Sequence, residues 1–451
     1  MHLFSRKEDD TMAKLNIRNR NKDQYDKNGK PKAPNWEYRF EGAKIDGKRK
    51  HISKAGFKTK KEAEIAGAKA MAEYNNAGSL FEPSNMSFSD YLDYWFDNYV
   101  KTSCKYNTQI NYNNIIENHL KPALGIYKLK ALTPAVLQEF VNKKFITGLK
   151  KNTLKGIVAV LTSSLRYAVH PAQLLQSSPA EYITYPKLST ARSETNRTVI
   201  SVDDFNRIIN RFDRFKTYRI AIFIGFYTGL RIGEVYALTW DDIDLKEQTL
   251  DVNKIAYKRN YGVDVRQVMK QKGKREEKSA WYFGDTKTHA SVRKIKIGDT
   301  LTKELKEFKK FQLEQQLIYG EYYTQIYKKE ELDEKGNTIY RLVEAEKSLP
   351  VHLPVANLVM RNENGTYSSL DSFKYAARII HHELGLTFNF HSLRHTHATK
   401  LIESGVSPKA VQERLGHEKI ETTLQTYVHS TDDMAVSAVD VFEKAVSTKI
   451  V

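Results

Sequence analysis

The stretch PKLSTARSETNR, from Pro186 to Arg197, holds no apolar side chain larger than alanine after Leu188. Such a segment has nothing to bury, so it reads as a linker and cuts the chain into two separately folded parts. With 451 residues the chain exceeds what one core organises, and two to four domains are expected. A hydrophobic fraction of 40% is enough to give those parts packed cores. No fixed-period repeat is present, which argues against a solenoid.

Charge narrows the partner. The chain has 72 basic and 54 acidic side chains, a net +18, and a pI near 9.4. That balance favours a polyanion, nucleic acid ahead of an acidic membrane surface. Residues 1–60 hold 17 Lys and Arg against 8 Asp and Glu, so this short stretch supplies half of the excess. Cys104 is the single cysteine, which rules out an intrachain disulfide and a cysteine-built metal site. The start, MHLFSRKEDD, lacks the apolar stretch of a secretory signal, and Met12 is an alternative start. The longest uncharged apolar run, Ile220 to Leu230, falls short of the roughly 18 residues a membrane span needs. A cytoplasmic protein with no membrane partner is expected.

Periodicity supplies the elements. In NWEYRFEG, Trp36, Tyr38 and Phe40 alternate with Glu37, Arg39 and Glu41, the pattern of a half-buried strand. Asp46-Gly47 reads as a hairpin turn into a second, basic strand, and Thr59 with Glu62 forms a capping box opening a helix to about Gly78. Basic strands of this kind can lie in a DNA groove, which makes Arg39, Lys48, Arg49 and Lys50 candidate DNA contacts, with a solvated basic sheet as the alternative. Residues 85–185 read as a helical bundle, with helices from Phe88, at Asn107 to His119, Pro134 to Phe145 and Thr153 to Val169. Past the linker, Ser201 caps a helix, an apolar helix covers Ile220 to Tyr227, and strands fill Gln248 to Ile297. Residues 305–350 read as a long charged helix plus a hairpin around Lys335-Gly336, a solvated insertion, with contact to DNA or a neighbouring subunit as the alternative. Met434 to Val446 places Val436, Val439, Val441, Phe442 and Val446 on an apolar helix face that docks on its own domain or on the next protomer.

Two segments carry chemistry. In YTGLRIGEVYALTWDDIDL, Gly229 can end the apolar helix in the left-handed conformation and present Arg231 at its exit. In FHSLRHTHATKLIESGVSPKAVQERLGHEKIETTLQTYVH, His391 and Arg394 are three apart and share a helix face, and His417 and Tyr427 follow. His391 and His395 have the spacing of a helical metal pair, but no HExxH glutamate is present and Arg394 sits beside them, so no metal is assigned. His289, His395 and His397 receive no role. Alone, Tyr427 is one of 26 tyrosines and each arginine one surface charge among many; only their combination is informative.

Together these segments resemble the tyrosine recombinase family of phage-integrase type, whose pattern is an Arg in TGLR, a HxxR pair, a GH pair and a nucleophilic Tyr. The resemblance makes Arg231 and Arg394 phosphate clamps, His391 and His417 the imidazole pair and Tyr427 the nucleophile. DTKTHASVRKIKI resembles the family's lysine-bearing β-hairpin turn and places Lys287 there, with a solvated basic hairpin as the alternative. Glu234 matches an acidic position that braces the first arginine. The implied fold is multidomain α+β: a small three-stranded sheet plus helix, an all-α core-binding bundle, and a mixed, mainly α catalytic domain. The implied boundaries are 13–60 for arm-site binding, 61–84 for a helix and linker, 85–187 for core binding, 188–197 for the linker and 198–446 for catalysis. The implied partners are double-stranded DNA at core and arm sites, a homotetramer on that DNA, and an accessory directionality factor.

The chemistry asks for these residue types. Attack on a phosphodiester gathers negative charge on the non-bridging oxygens, which two guanidiniums can grip with charge-assisted hydrogen bonds. A phenol of reference pKa near 10 is a poor nucleophile until a base takes its proton or cations stabilise phenolate. His391 is the candidate base, Lys287 the acid for the departing oxygen, and His417 a donor to the phosphate. A phosphotyrosine bond conserves the energy of the broken linkage, so no nucleotide or other cofactor is implied. The same charge pattern also suits a DNA-binding regulator that no longer cuts, and a type IB topoisomerase shares the chemistry.

Overall fold

The computed structural model describes residues 15–25, 27, 29–45, 48–77, 85–186, 198–271, 278–286 and 289–427. The chain divides at Leu188 and Ser189 into two units. In the first, β1 (Asn16–Asn19), β2 (Trp36–Ile45) and β3 (Lys48–Phe57) form an antiparallel sheet in that order. The alternation in β2 buries Tyr38 and Phe40 against α1 (Lys60–Ala77). Gly67 lets helix and sheet approach, since a Cβ there would lie 2.8 Å from both Leu15 Cδ1 and Tyr38 Cβ. The capping box is formed: Glu62 N–H donates to Thr59 Oγ1 at 3.2 Å and Thr59 N–H to Glu62 Oε2 at 3.4 Å. Glu37 departs from simple alternation and is buried, because Arg18 covers it with a 2.7 Å bond that holds its carboxyl below the usual range. β2 and β3 pair as far as Ile45 and Lys48. The turn expected at Asp46-Gly47 and the side chains of Lys48 and Arg49 lie outside the described residues, while Arg39 is half-buried and Lys50 exposed.

The rest of this unit is helical. α2 (Phe88–Trp95) starts at Ser87, whose Oγ accepts from Asp90 N–H at 3.0 Å, and runs on through a π-type stretch, Phe96–Val100. α3 (Tyr106–Ile115) is extended in the same way by Ile116–Leu120. α4 (Pro134–Ile146), capped by Thr133, and α5 (Lys151–Val169) follow. Tyr91, Leu92, Trp95, Leu120, Leu137 and Leu161 are buried, and Tyr91 donates from α2 to the Ser164 carbonyl of α5.

In the second unit α6 (Val202–Arg211) begins at Ser201, whose Oγ accepts from Asp204 N–H at 3.0 Å. α7 (Lys216–Thr228) is the central apolar helix, buried from Ile220 to Gly225. Then come α8 (Ile232–Val235), β4 (Ile243–Asp244), β5 (Thr249–Val252), β6 (Lys254–Asn260), β7 (Ser279–Asp285), β8 (Arg293–Lys296) and α9 (Asp299–Tyr319). A short helix, Val265–Gln271, lies between β6 and β7, and β9 (Thr324–Leu332), β10 (Thr338–Glu346), α10 (Leu370–Leu384), α11 (Phe390–Glu403), α12 (Pro408–Leu415) and α13 (Ile420–Tyr427) follow among the described residues. The strands make two antiparallel sheets, β4-β5-β8 and β6-β7-β10-β9. α11 packs tightly on α7 because residue 225 is glycine: a Cβ there would lie 2.8 Å from Leu393 Cδ1 and from Phe390 Cζ. The architecture is the multidomain α+β arrangement that the sequence implies.

The long helix and the hairpin expected within residues 305–350 are present and largely exposed, but one face of them packs into the core, which corrects the expectation of a wholly solvated insertion. α9 buries Leu301, Leu305 and Phe308, and β10 hydrogen-bonds to β7 with Tyr340 opposite Phe283 and Arg341 opposite Tyr282. The β9–β10 hairpin, turning at Gly336, thereby satisfies backbone groups of β7 and buries Ile326 and Leu342. The linker from 188 to 197 and the apolar segment Met434 to Val446 lie outside the described residues.

Candidate active site

The site forms where two helices end. α7 stops at Gly229, φ 69°, whose N–H donates to Gly225 O at 3.0 Å. A Cβ there would sit 2.7 Å from Leu415 Cδ2 and 2.9 Å from His397 Cδ2, so glycine is required by both conformation and space. α12 stops at Gly416, φ 67°, where a Cβ would lie 2.9 Å from Arg293 Nη1 and 3.1 Å from Ala290 O. Helix C-termini leave carbonyls without intrahelical donors and carry partial negative charge. Four guanidiniums take up these oxygens. Arg394 donates to Gly229 O at 2.8 Å and Leu415 O at 2.9 Å, and Arg293 to Arg414 O at 2.7 Å. Arg414 donates to Tyr227 O at 3.2 Å and Arg231 to Gly416 O at 3.4 Å.

Arg231 is also the first residue of the turn into α8. Its N–H donates to Glu234 Oε2 at 2.9 Å and its Nη1 to Oε1 at 2.8 Å, so Glu234 fixes both backbone and side chain. Glu234 is 1% exposed and binds a second cation, Arg293, whose Nη2 lies 3.1 Å from Oε2. Burial opposes the carboxylate form, but the charges of Arg293 and Arg231 outweigh it and hold the carboxyl below its usual range. Arg293 was absent from the residues singled out by sequence. It shares the β-strand parity of Ile295 and Ile297, which are buried, and a charge on a buried strand face was the available signal. The side chain of Arg231 is 35% exposed, whereas Arg394 is fully buried.

α11 opens with Asn389, whose Oδ1 accepts from Ser392 N–H at 3.0 Å, and this sets His391 in the first turn and Arg394 one turn on. His391 opens to solvent, its ring edge-on to His395 at 4.6 Å. Partial desolvation, then the charges of Arg394 and Arg231, lower its pKa. His417 follows Gly416, its carbonyl held by Gln412 Nε2 at 3.0 Å and its Nδ1 2.9 Å from Thr423 Oγ1 on α13. Burial pushes its pKa down to about 3, helped by Arg394, Arg231 and His391. Arg231 holds the carbonyl of Gly416 and Arg394 that of Leu415, next to His417, and Arg394 stands one turn from His391 on α11, so the four residues gather at one locus. Two cations and two neutral imidazoles form a place for an anion on which charge develops.

Tyr427 ends α13, which packs against α12 and α11, and it stands one turn beyond Thr423; its side chain lies outside the described residues. Lys287 also lies outside them, between the end of β7 and the turn His289–Ser291 that leads into β8. The turn expected around Lys287 therefore lies outside the described residues; of the flanking strands, β7 pairs with β6 and β10 and β8 pairs with β5.

Comparison with known proteins places this chain in a class of DNA breaking and rejoining enzymes. Residues 198–434 match the phage integrase family, residues 87–145 a phage integrase N-terminal SAM-like domain and residues 24–73 an arm DNA-binding domain. The chain belongs to the phage integrase family, the tyrosine recombinases. It is 28% identical over 392 residues to a tyrosine recombinase XerC-like protein of Caldanaerobacter subterraneus, covering 85% of this chain and 89% of that one. It is 26% identical over 399 residues to the integrase of Staphylococcus phage L54a, covering 81% and 95%. The fold is similar to that of the Tn1549 transposon integrase in complex with transposon right end DNA, with a TM-score of 0.56 at 19% identity over 79% of this chain and 99% of that chain.

Proposed function

We propose that the protein performs site-specific recombination of a mobile element such as a phage genome, cutting a DNA strand through a 3'-phosphotyrosine bond at Tyr427 and rejoining it to a 5' hydroxyl. The observation that carries this reading is the single locus of Arg231, Arg394, His391 and His417 at the ends of α7 and α12, with α13 leading from it to Tyr427. The Tyr427 oxygen attacks phosphorus, its proton passes to His391, and the bond from phosphorus to the 5' oxygen breaks as that oxygen takes a proton from Lys287. Arg231 and Arg394 bear the charge that gathers on the non-bridging oxygens, and His417 donates to one of them. Glu234 keeps Arg231 oriented.

The depressed imidazoles fit this scheme. In the free protein they are neutral, so His391 begins as a proton acceptor. A bound phosphate offsets the arginine charges and raises both imidazole pKa values, which strengthens the base as substrate arrives. Residues 13–60 hold the arm site, with Arg39, Lys48, Arg49 and Lys50 against DNA; residues 85–187 hold the core site and 198–446 cut it. The working assembly is a homotetramer on double-stranded DNA in the cytoplasm, its direction set by an accessory factor.

A nicked suicide duplex tests the reading, because the fragment beyond the cut diffuses away and traps the intermediate. The wild-type protein should form a covalent adduct resistant to denaturation, and Tyr427→Phe should bind the duplex and form none. No adduct with the wild type favours a regulator, an adduct with Tyr427→Phe removes Tyr427 from its role, and site-independent supercoil relaxation favours a topoisomerase.

A further inference from the structure

His397 and Arg414 have no chemical role in this scheme, yet they are bonded to each other between the segments that carry it. Arg414 Nε donates to His397 Nε2 at 2.9 Å. A guanidinium only donates, so Nε2 is the bare nitrogen and the ring proton sits on Nδ1, which donates to Phe226 O at 2.9 Å. The remaining arms of Arg414 reach Lys296 O at 3.0 Å and Tyr227 O at 3.2 Å. These bonds join the last turn of α7, which leads to Arg231, with α11, where His397 stands three residues past Arg394. They also join the end of β8 with the last turn of α12, which leads to His417.

We propose that the His397–Arg414 pair is a positioning device that sets Arg231, Arg394 and His417 at the mutual distances strand cleavage needs. This rests on the reading of those residues as the active site. Two observations separate it from ordinary packing. The ring of His397 lies on Gly229, at 2.9 Å from where a Cβ would be, and so on the residue that turns the chain towards Arg231. The three donors of Arg414 end on acceptors in three separate segments, α11, β8 and α7, and so fix direction as well as distance between them, which apolar side chains of similar volume would not do. Burial, then Arg414, pushes the His397 pKa down to about 4, so its acceptor nitrogen stays bare near neutral pH.

The test compares His397→Phe, which keeps a ring and loses both bonds, with Arg414→Met and the double variant. Cleavage of the suicide duplex is measured beside affinity for the same duplex. Each single variant should cleave about 10- to 100-fold more slowly with affinity changed by less than about threefold, because misplacement of reacting groups costs rate before binding. The double variant should be no slower than the slower single one. His397→Gln, which keeps a carbonyl acceptor within reach of Arg414, should recover much of the rate. If either first variant fails to fold, His397→Gln and Arg414→Lys carry the comparison, and slowed cleavage by Arg414→Lys with intact binding supports the device. Wild-type rates in the single variants, parallel loss of binding and cleavage, or losses that multiply in the double variant overturn it. A wild-type protein without an adduct overturns the proposed function as well, whereas a wild-type adduct with unaffected variants overturns this inference alone.

Discussion

Replacing Glu234 by glutamine keeps the shape of a buried side chain and removes its charge. Glu234 accepts from Arg231 N–H at 2.9 Å, Arg231 Nη1 at 2.8 Å and Arg293 Nη2 at 3.1 Å. The amide keeps one good acceptor and turns an NH2 towards one of the guanidiniums. Arg293, only 7% exposed, keeps its bonds to Arg414 O and Ser291 O but loses its counter-charge. Breaking a buried pair in this way costs about 3–5 kcal/mol. Arg231 adds less than about 1 kcal/mol, because water screens a side chain that is 35% exposed. In a folding unit of this size each kcal/mol moves the melting point by about 2–4 °C, so Glu234→Gln should melt roughly 6–24 °C below the wild type near neutral pH. Adding Arg293→Met removes the stranded cation, and the double variant should be less destabilised than the sum of the two single ones by about 1.5–3 kcal/mol. Thermal and urea denaturation of all four proteins provide the readout. A Glu234→Gln protein that melts with the wild type, or strictly additive losses, would refute the claim that this carboxylate is the shared counter-ion of Arg231 and Arg293.

Three further predictions concern other parts of the second unit. His417 and His397 hold protons less readily when folded, with pKa values pushed to about 3 and about 4, so the unfolded chain binds more protons between those values and the ordinary 6.5. The stability they contribute is fully present above the ordinary imidazole value and is lost as pH falls through this window. At about pH 5 each accounts for up to about 2 kcal/mol, discounted for partial solvent access; pH-dependent urea melts should show the loss, and bound duplex should reduce it. Gly416→Ala places a Cβ 2.9 Å from Arg293 Nη1 in a left-handed position, so unfolding free energy should fall by about 1–2 kcal/mol from the backbone alone and cleavage should fall more than duplex binding. Ile326→Ala empties a fully buried site on the β9–β10 hairpin and should cost about 2–5 kcal/mol in urea unfolding, where a solvated insertion would give a change within about 0.5 kcal/mol.

The residues proposed to meet the phosphate were legible because the chemistry restricts their types and the family motif fixes their local contexts. Arg231 after a helix-ending glycine, the HxxR pair and the residues around His417 all appear in the primary order. Their scaffolding was less visible, because it depends on partners far apart in sequence. Arg293 meets Glu234 across 59 residues, and Arg414 meets the carbonyl of Tyr227 across 187. No periodicity announces such pairs, although a charged side chain on the buried parity of β8 hinted at one. The hairpin at residues 324–346 was legible from its turn at Lys335-Gly336, but its packing was missed because charges dominate its composition, while Ile326, Ile339 and Leu342 supply the face that packs. The four helices after Phe88 were legible from spacing and caps, but the π-type stretches within two of them leave no mark in an apolar pattern.

The account stands or falls on whether the proposed catalytic side chains gather around a single phosphorus. The direct measurement is a structure of the protein on its core duplex, trapped as the covalent intermediate. The account predicts a bond between the Tyr427 oxygen and phosphorus, with nitrogens of Arg231, Arg394 and His417 at about 2.7–3.2 Å from the non-bridging oxygens and Lys287 in reach of the freed 5' oxygen. A phosphorus bonded to another residue, or lying beyond hydrogen-bonding distance of both guanidiniums in every protomer, would contradict it.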